Sequence, residues 1–275
     1  MALARHRDAY DHVVAALRSA GCVFAEDEAD LLIEEASDPG ALESMLARRV
    51  AGEPLEVIVG WAEFGGLRVI VEPGVFVPRR RTEALVREAV AVVGTRAIVV
   101  DLCCGTGAVG MAIQGAVSGI ELYASDIDPV AVRCARRNVE PLGGRVFEGD
   151  LYAPLPASLR GRTDVLVVNA PYVPTGAIGL MPSEARDHEP RITLDGGADG
   201  TEIQHRVAAA AADWLAPGGH LLIETSQEQA EHTAAAVVGG GLTAEVRRAD
   251  DVDGTVLVGR RPHPRGPSGP HVGGG

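Results

Sequence analysis

Val165-Leu166-Val167-Val168-Asn169-Ala170-Pro171-Tyr172-Val173-Pro174 is the stretch that decides how the chain is read. Four apolar residues, three of them β-branched, make a short run that suits a strand buried on both faces. The run stops at Asn169, and Pro171 and Pro174 have no N–H to continue a ladder. A buried strand therefore delivers Asn169 and Tyr172 onto a proline-braced loop at its C-terminal end, the edge where open α/β sheets bind ligands. Asn169 offers a side-chain carbonyl. Ala170 offers a backbone carbonyl whose direction Pro171 helps to set, because the residue before proline is confined to extended geometry. Tyr172 offers a flat ring. Two acceptors beside an aromatic plate suit an –NH2 group on a planar carrier, although Asn and Pro also end strands as ordinary turn residues.

Working outward toward the N-terminus, three more strand ends carry acids. Ile98-Val99-Val100 runs into Asp101-Leu102-Cys103-Cys104-Gly105-Thr106-Gly107 and then the apolar-periodic Ala108 to Ile113. A strand, a glycine turn and a helix start form a nucleotide-binding unit. The spacing is not Gly-x-Gly-x-x-Gly, so a pyrophosphate loop fits poorly, and an acid before the glycines suits a ligand with an amine and a sulfonium. The strand Glu121 to Ser125 ends in Asp126, 25 positions after Asp101, close to the roughly 20-residue offset at which an acid reaches ribose hydroxyls. Asp128-Pro129 opens the next helix, with proline in its first turn. Arg145 to Glu148 ends in Gly149-Asp150, and Asp150 is placed to meet an adenine amino group. Each acid taken alone is more often a cap or a surface charge. Three on successive strands, ahead of the Asn169 loop, read as one site.

Beyond the loop, Gly200 to Leu215 reads as a helix, Ala216 to Gly219 as a turn and His220 to Glu224 as a strand. Gln227 to Val238 is a further helix, and Leu242 to Arg248 with Thr255 to Arg260 is a closing pair. Before the first strand, Tyr10, Val13, Val14 and Leu17 recur at helical spacing, Asp27 to Ala36 makes a second helix, and Ala41 to Val50 a third after the break Asp38-Pro39-Gly40. Leu67, Val69 and Val71 alternate with Arg68, Ile70 and Glu72 beside the Gly65-Gly66 turn pair, which predicts a β-hairpin. The predicted organisation is a helical lobe over 1–51, a hairpin connector over 52–77, a cofactor-binding domain over 78–260 and a disordered Pro/Gly-rich tail over 261–275.

Composition bounds the partners. The chain has 275 residues and a formal net charge of −13, and all of its 25 Lys+Arg positions are Arg. So acidic a chain is a poor fit to broad nucleic-acid binding, which neutralises phosphates with basic side chains. Arg79-Arg80-Arg81 is the exception, readable as a solvated turn or as an anion or cofactor contact. Cys22, Cys103, Cys104 and Cys134 fit neither a zinc motif nor a disulfide framework. No signal peptide is legible, and no apolar run approaches the ~20 residues of a membrane span. A cytoplasmic protein with reduced thiols is expected, with a monomer as the default.

With these elements in place, residues 50 to 260 resemble the HemK/PrmC family of protein-glutamine N5-methyltransferases. The resemblance is carried by Gly52-Glu53-Pro54-Leu55, Phe76-x-x-Arg79-x-x-Thr82-Glu83, Asp101 to Gly107, Asp126, Gly149-Asp150-Leu151 and Asn169 to Tyr172. Glu189-Pro190-Arg191, Leu194-Asp195-Gly196-Gly197-x-Asp199-Gly200 and Leu215 to Glu224 add to it. It implies a class I, Rossmann-like, S-adenosylmethionine-dependent α/β fold with a mostly parallel seven-stranded sheet. It implies cofactor contacts from Phe76, Arg79, Thr82, Asp101, Cys103, Gly105, Gly107, Asp126, Ile127, Asp150, Leu151 and Asn169. The catalytic set it implies is Asn169, Ala170, Pro171 and Tyr172, with no metal. The implied reaction methylates the glutamine amide nitrogen of the Gly-Gly-Gln motif in a class I peptide chain release factor.

Three departures from the family pattern stand out. Ala170 replaces a proline, which keeps the carbonyl but frees φ. Cys103 replaces the first glycine of the cofactor loop, which requires a negative φ there to be free of strain. Arg80-Arg81 replaces Pro-Glu. The N-terminal lobe is also shorter than the family's five-helix version, which leaves the protein substrate open, including a ribosomal-protein glutamine. The alternatives are a nucleic-acid methyltransferase acting on an exocyclic adenine or guanine amine, and a cofactor-binding module without catalysis.

Overall fold

Successive side chains of a strand point to opposite faces of its sheet, and in this protein both faces are covered. The structure is a computed structural model and describes residues 2–263. Val99, Leu122, Ala124, Val165, Val167 and Leu222 enter one core with residues of three helices, α5 (Glu83–Val92), α6 (Ala108–Ala116) and α7 (Pro129–Val139). The alternate residues Ile98, Val100, Leu102, Leu166, Val168, Leu221 and Ile223 enter a second core with α9 (Glu202–Trp214) and α10 (Ala230–Gly239). Double coverage is why these strands read as unbroken apolar runs.

The large sheet has seven strands in the order β5-β4-β3-β6-β7-β9-β8. β3 (Ile98–Leu102), β4 (Glu121–Asp126), β5 (Arg145–Glu148), β6 (Thr163–Val168) and β7 (Leu215–Thr225) are parallel to one another. β8 (Thr243–Ala249) and β9 (Gly254–Arg260) close the edge antiparallel. The chain steps outward from β3 to β4 to β5, then returns to place β6 on the other side of β3. The C-terminal ends of β3 and β6 thus flank a topological switch point, where doubly wound sheets open a crevice.

Ahead of the sheet lie α1 (Ala2–Ser19), α2 (Ala25–Glu35) and α3 (Pro39–Val50), packed through Val13, Leu17, Ala29, Leu32 and Leu46. The short helix α4 (Leu55–Val59) and the hairpin β1 (Trp61–Phe64)–β2 (Leu67–Ile70) follow. Asn138 on α7 docks the hairpin. Its Oδ1 accepts from Ile70 N–H at 2.9 Å, and its Nδ2 donates to the Ile70 and Thr106 carbonyls, each at 2.9 Å. One buried amide thereby ties the connector to the glycine loop after β3. No described helix is long and apolar enough to cross a membrane.

Four expectations are corrected. Asp38-Pro39-Gly40 is a helix start, not a break: Asp38 Oδ1 accepts from Gly40 and Ala41 N–H at 2.8 and 2.9 Å, and Pro39 takes the first turn. The connector is not hairpin alone, because α4 lies within it; five residues are too few to display a helical period. Ala216 to Gly219 lies inside β7 as a bulge. Thr163 faces Leu215 but Val165 already faces His220, so several β7 residues oppose one step of β6. Arg261, expected in a disordered tail, pairs with the bulge: its N–H donates to Gly219 O and its carbonyl accepts from Gly218 N–H. Residues 264–275 of that predicted tail lie outside the described residues.

Candidate active site

At the switch point, the strand ends surround a cavity of about 1030 Å³, at the upper end of the range for small-molecule sites. Its two halves differ in chemistry. On the β3-β4-β5 side stand the three acids. Asp101 is almost wholly buried at the end of β3, and its Oδ2 accepts from Gly110 N–H at the start of α6, 2.9 Å away. Burial, and next to it the charge of Asp126, push its carboxyl up to about 7. Asp126 clasps the loop that follows β3: Oδ2 accepts from Gly105 N–H at 2.8 Å and Oδ1 from Asp128 N–H at 2.9 Å. Cys104 N–H adds a bond to Ser125 O at 3.1 Å. Burial raises the Asp126 carboxyl above the ordinary range even though those N–H groups pull it down. Asp150, at the cavity wall, is ion-paired with Arg206 of α9.

Clasping the loop requires a sharp turn at Cys103, whose φ is +55°. The condition for a strain-free Cys103, a negative φ, is therefore not met. A left-handed conformation at a residue with a Cβ costs roughly 1–2 kcal/mol, and the bonds of Cys104 and Gly105 to the end of β4 offset it. Leu151 is likewise left-handed, with φ +48°, in the turn that brings its carbonyl to Ser125 Oγ at 2.9 Å.

The β6-β7 side holds the proline-braced loop. Asn169, Ala170, Pro171 and Tyr172 all line the cavity, and Ala170 is buried. Asn169 Nδ2 donates to Thr82 Oγ1 at 3.4 Å, and no described residue donates to its Oδ1. Tyr172 O–H donates to Glu224 Oε1 at 3.4 Å, and its hydroxyl is pushed up to about 12 by burial, with the Glu224 charge adding to it. The loop is braced from behind. Val173 N–H bonds Leu194 O at 3.0 Å and Gly196 N–H bonds Val173 O at 2.9 Å. Gln229 Nε2 donates to the Tyr172 and Asp199 carbonyls at 2.8 and 3.0 Å. Gly200, with φ +79°, permits this approach, since a Cβ there would stand 2.2 Å from Tyr172 O.

The structure brings together almost every residue expected at the site. Phe76, Arg79, Thr82, Asp101, Cys103 and Gly105 line the same cavity as Asp126, Ile127, Asp150, Leu151 and Asn169. Gly107 stands apart from the wall. It turns the chain into α6 with φ +78°, and a Cβ on it would meet Val139 at 2.6 Å, so its role is close packing on α7. The three arginines diverge: Arg79 pairs with the buried Glu189 and lies 5.4 Å from the Phe76 ring centroid, Arg81 lines the cavity, and Arg80 does not.

Sequence reasoning gave no role to Glu189 or Glu224, nor to the strut from Leu194 to Gly200. Arg79 and Tyr172, the partners of the two acids, lie 110 and 52 positions away, and Gln229 reaches back 57 positions to Tyr172. Glu224 has one local hint, its place in an apolar strand; Glu189, which follows the short helix α8 (Ser183–His188), and the strut have none.

Residues 66–181 match the methyltransferase small domain. The release factor glutamine methyltransferase of Mycolicibacterium smegmatis is 34% identical over 270 residues, covering 92% of this chain and 95% of that protein. The 4-amino-L-phenylalanine/4-methylamino-L-phenylalanine methyltransferase of Streptomyces pristinaespiralis is 36% identical over 244 residues, covering 80% of this chain and 83% of that one. A solved methyltransferase from Pyrococcus furiosus shares the fold, with a TM-score of 0.56 at 16% identity over 80% of this chain and 99% of that one.

Proposed function

The chain belongs to the release factor glutamine methyltransferase family and is an S-adenosylmethionine-dependent methyltransferase, and we propose that it methylates the side-chain amide nitrogen of a protein glutamine. The acceptor we assign is the Gly-Gly-Gln glutamine of a class I peptide chain release factor, methylated in the cytoplasm by a monomer. The division into lobe (1–51), connector (52–77) and transfer domain (78–260) belongs to the same proposal, with the lobe meeting the protein substrate.

The donor set fits the cofactor. Two carboxyls with raised pKa values, the buried Asp101 and the half-buried Asp126, suit cationic or hydroxyl partners in a cavity that also accommodates a second reactant. Asp101 suits the cofactor's amine and Asp126 its ribose hydroxyls, with Phe76, Arg79, Thr82, Ile127 and Leu151 as walls. When bound, the cofactor supplies an electrophilic methyl on a sulfonium.

The chain's own task is to make a poor nucleophile adequate. An amide nitrogen delocalises its lone pair into the carbonyl. Asn169 Oδ1 and the Ala170 carbonyl accept the two N–H bonds and turn the lone pair toward the methyl. Pro171 and Tyr172 hold the amide plane. The same two oxygens stabilise positive charge as it develops on nitrogen, the counterpart of an oxyanion hole, where one group is worth ~10²–10³ in rate. Holding the reactants in line contributes up to ~7–11 kcal/mol. The observation that carries the proposal is that Asn169 lines the cavity with its Nδ2 donating to Thr82 Oγ1 and its Oδ1 taking no hydrogen bond from a described residue.

A second acceptor is favoured by one finding, a relative at 36% identity named for an aryl amine of an amino acid. The loop's two acceptors suit that –NH2 equally. Labelled-methyl transfer to release factor, ribosomal protein, RNA, DNA and 4-amino-L-phenylalanine in parallel, with mass mapping of the product, separates the acceptors. Label on a release-factor glutamine is the expected result. Label on the aryl amine or on nucleic acid alone, or none anywhere, overturns the proposal.

A further inference from the structure

Four arginines line the cavity, and three of them already hold a carboxylate. Arg79 pairs with Glu189, Arg206 pairs with Asp150, and Arg191 Nε donates to Asp195 Oδ2 at 3.1 Å. Arg81 is the fourth. It is exposed, and its guanidinium makes neither an ion pair nor a hydrogen bond with any described residue.

An arginine surrounded by water is ordinary on a surface, and Arg80, exposed and off the cavity wall, is one. Arg81 differs in three respects. Its backbone is fixed. It lies in the short turn Arg80–Thr82 ahead of α5, where Glu83 N–H bonds the carbonyls of Arg80 and Arg81. Gly254, at the start of β9, closes on this turn so tightly that a Cβ there would stand 2.8 Å from Arg81 O. Its charge also acts on the β6-β7 side of the cavity. Thr82, the next residue, takes the Asn169 amide N–H at 3.4 Å. Burial raises both the Tyr172 hydroxyl and the Glu224 carboxyl, and the Arg81 charge pulls both down, although Arg81 and Glu224 form no ion pair. Lastly, its sign is the reverse of the family pattern, since Arg80-Arg81 stands in place of Pro-Glu.

A guanidinium keeps its charge and presents a planar fork of N–H donors that matches a carboxylate with two parallel bonds. We propose that Arg81 is a specificity-determining residue that donates to a carboxylate of the acceptor, an aspartate or glutamate side chain in the segment that carries the glutamine; the inference rests on the glutamine reading given above. A seated acceptor displaces water from the guanidinium, so the pair forms in a less polar medium than an exposed salt bridge does. A lysine at the same place in the acceptor sets like charges against each other. The net charge of −13 repels an acidic acceptor from afar. That field is screened beyond ~8 Å at physiological ionic strength, and contact decides the preference.

The test uses the full chain as wild type, Arg81→Met and Arg81→Glu. Arg81→Met keeps an apolar stem and drops the charge. The acceptors are peptides identical except that the residues flanking Gly-Gly-Gln are aspartate, serine or lysine. Expected for wild type at physiological ionic strength is a kcat/KM about tenfold higher for the aspartate peptide than for the serine one, the size of one hydrogen bond to a charged group, and carried in KM. Arg81→Met levels the two, and Arg81→Glu prefers lysine. Turnover of the serine peptide, the melting temperature and the Kd of S-adenosylhomocysteine stay close to wild type. Binding is read without transfer on the Arg81 side-chain ¹⁵Nε–¹H resonance, assigned by its loss in Arg81→Met. It shifts when an aspartate peptide with leucine in place of the glutamine is added at millimolar concentration to protein loaded with S-adenosylhomocysteine, and the lysine peptide leaves it unmoved. A resonance unmoved by the aspartate peptide, or an aspartate preference that survives Arg81→Met, overturns the role of Arg81. So does weaker binding of S-adenosylhomocysteine in Arg81→Met with binding of methylthioadenosine, which has no carboxylate, unchanged, because Arg81 then holds the cofactor. A shifted resonance in a protein that methylates no glutamine overturns the glutamine reading and leaves the carboxylate site standing.

Discussion

Asp126→Asn tests how far the cofactor half of the site depends on one carboxylate. Both carboxylate oxygens already accept a backbone N–H, Gly105 at 2.8 Å and Asp128 at 2.9 Å. Asn is almost the same size but has one acceptor oxygen and one NH2. Whichever way it sits, NH2 meets a backbone N–H, so one bond becomes a donor–donor contact. A buried donor left unsatisfied costs about 1–3 kcal/mol. The loss falls first on the glycine loop after β3, which relaxes away from the end of β4, and it is added to a weaker hydrogen bond to the ribose. Together these predict a cofactor affinity lower by about 2–4 kcal/mol, roughly 30- to 1000-fold in Kd. Titration calorimetry with S-adenosylhomocysteine reads this directly, and chemical denaturation of the unliganded protein reads the loop's share. If the Asp126→Asn variant binds within about threefold of wild type, with an unchanged denaturation midpoint, both the clasp and the ribose role are refuted. Loss of stability with unchanged affinity would retain the clasp and remove the ribose contact.

Three further outcomes are expected. Asn169→Ala keeps cofactor affinity and lowers turnover at least about 100-fold, by analogy with the loss of one oriented group at a charge-developing atom; single-turnover rates check it, and near-normal turnover contradicts the acceptor role. Asp101 has its carboxyl pushed up to about 7 by burial, so binding a cationic cofactor below that pH releases a proton and affinity tightens as pH rises toward 7. Because the folded value lies above the unfolded one, the contribution of Asp101 to the stability of the unliganded protein is fullest below the ordinary carboxyl range and is lost as pH rises to about 7. Calorimetry in buffers of different ionisation heat, with melting curves from acid to neutral pH, measures both, and binding without proton release at mildly acidic pH would count against it. Gly200→Ala puts a Cβ 2.2 Å from Tyr172 O and 2.3 Å from Gln229 Nε2 at a φ of +79°. Left-handed strain plus the lost Gln229 bond predicts roughly 2–3 kcal/mol of destabilisation; a urea midpoint within error of wild type would show the strut to be slack.

Local chemistry along the chain determined a great deal here. Runs such as Val165 to Val168 must be buried strands, because β-branched side chains without a polar face need cover on both sides. An acid or amide at the end of each run then lies on the ligand edge of the sheet by topology alone. That is why Asp101, Asp126, Asp150 and Asn169 are legible before any coordinate is known. α4 and the start of α3 were misread for a local reason: five residues show no period, and Asp-Pro-Gly writes a turn and a capped helix with the same letters. Other features have no local sign at all. The left-handed turn at Cys103 exists only because the end of β4 offers Ser125 O and Asp126 as partners. Glu189 and Glu224 find Arg79 and Tyr172 across gaps in sequence that only the folded sheet closes. The sequence by itself therefore determined which groups reach the edge of the sheet. Tertiary structure decided which way they face, because a hydrogen bond has a direction and its far partner sets it.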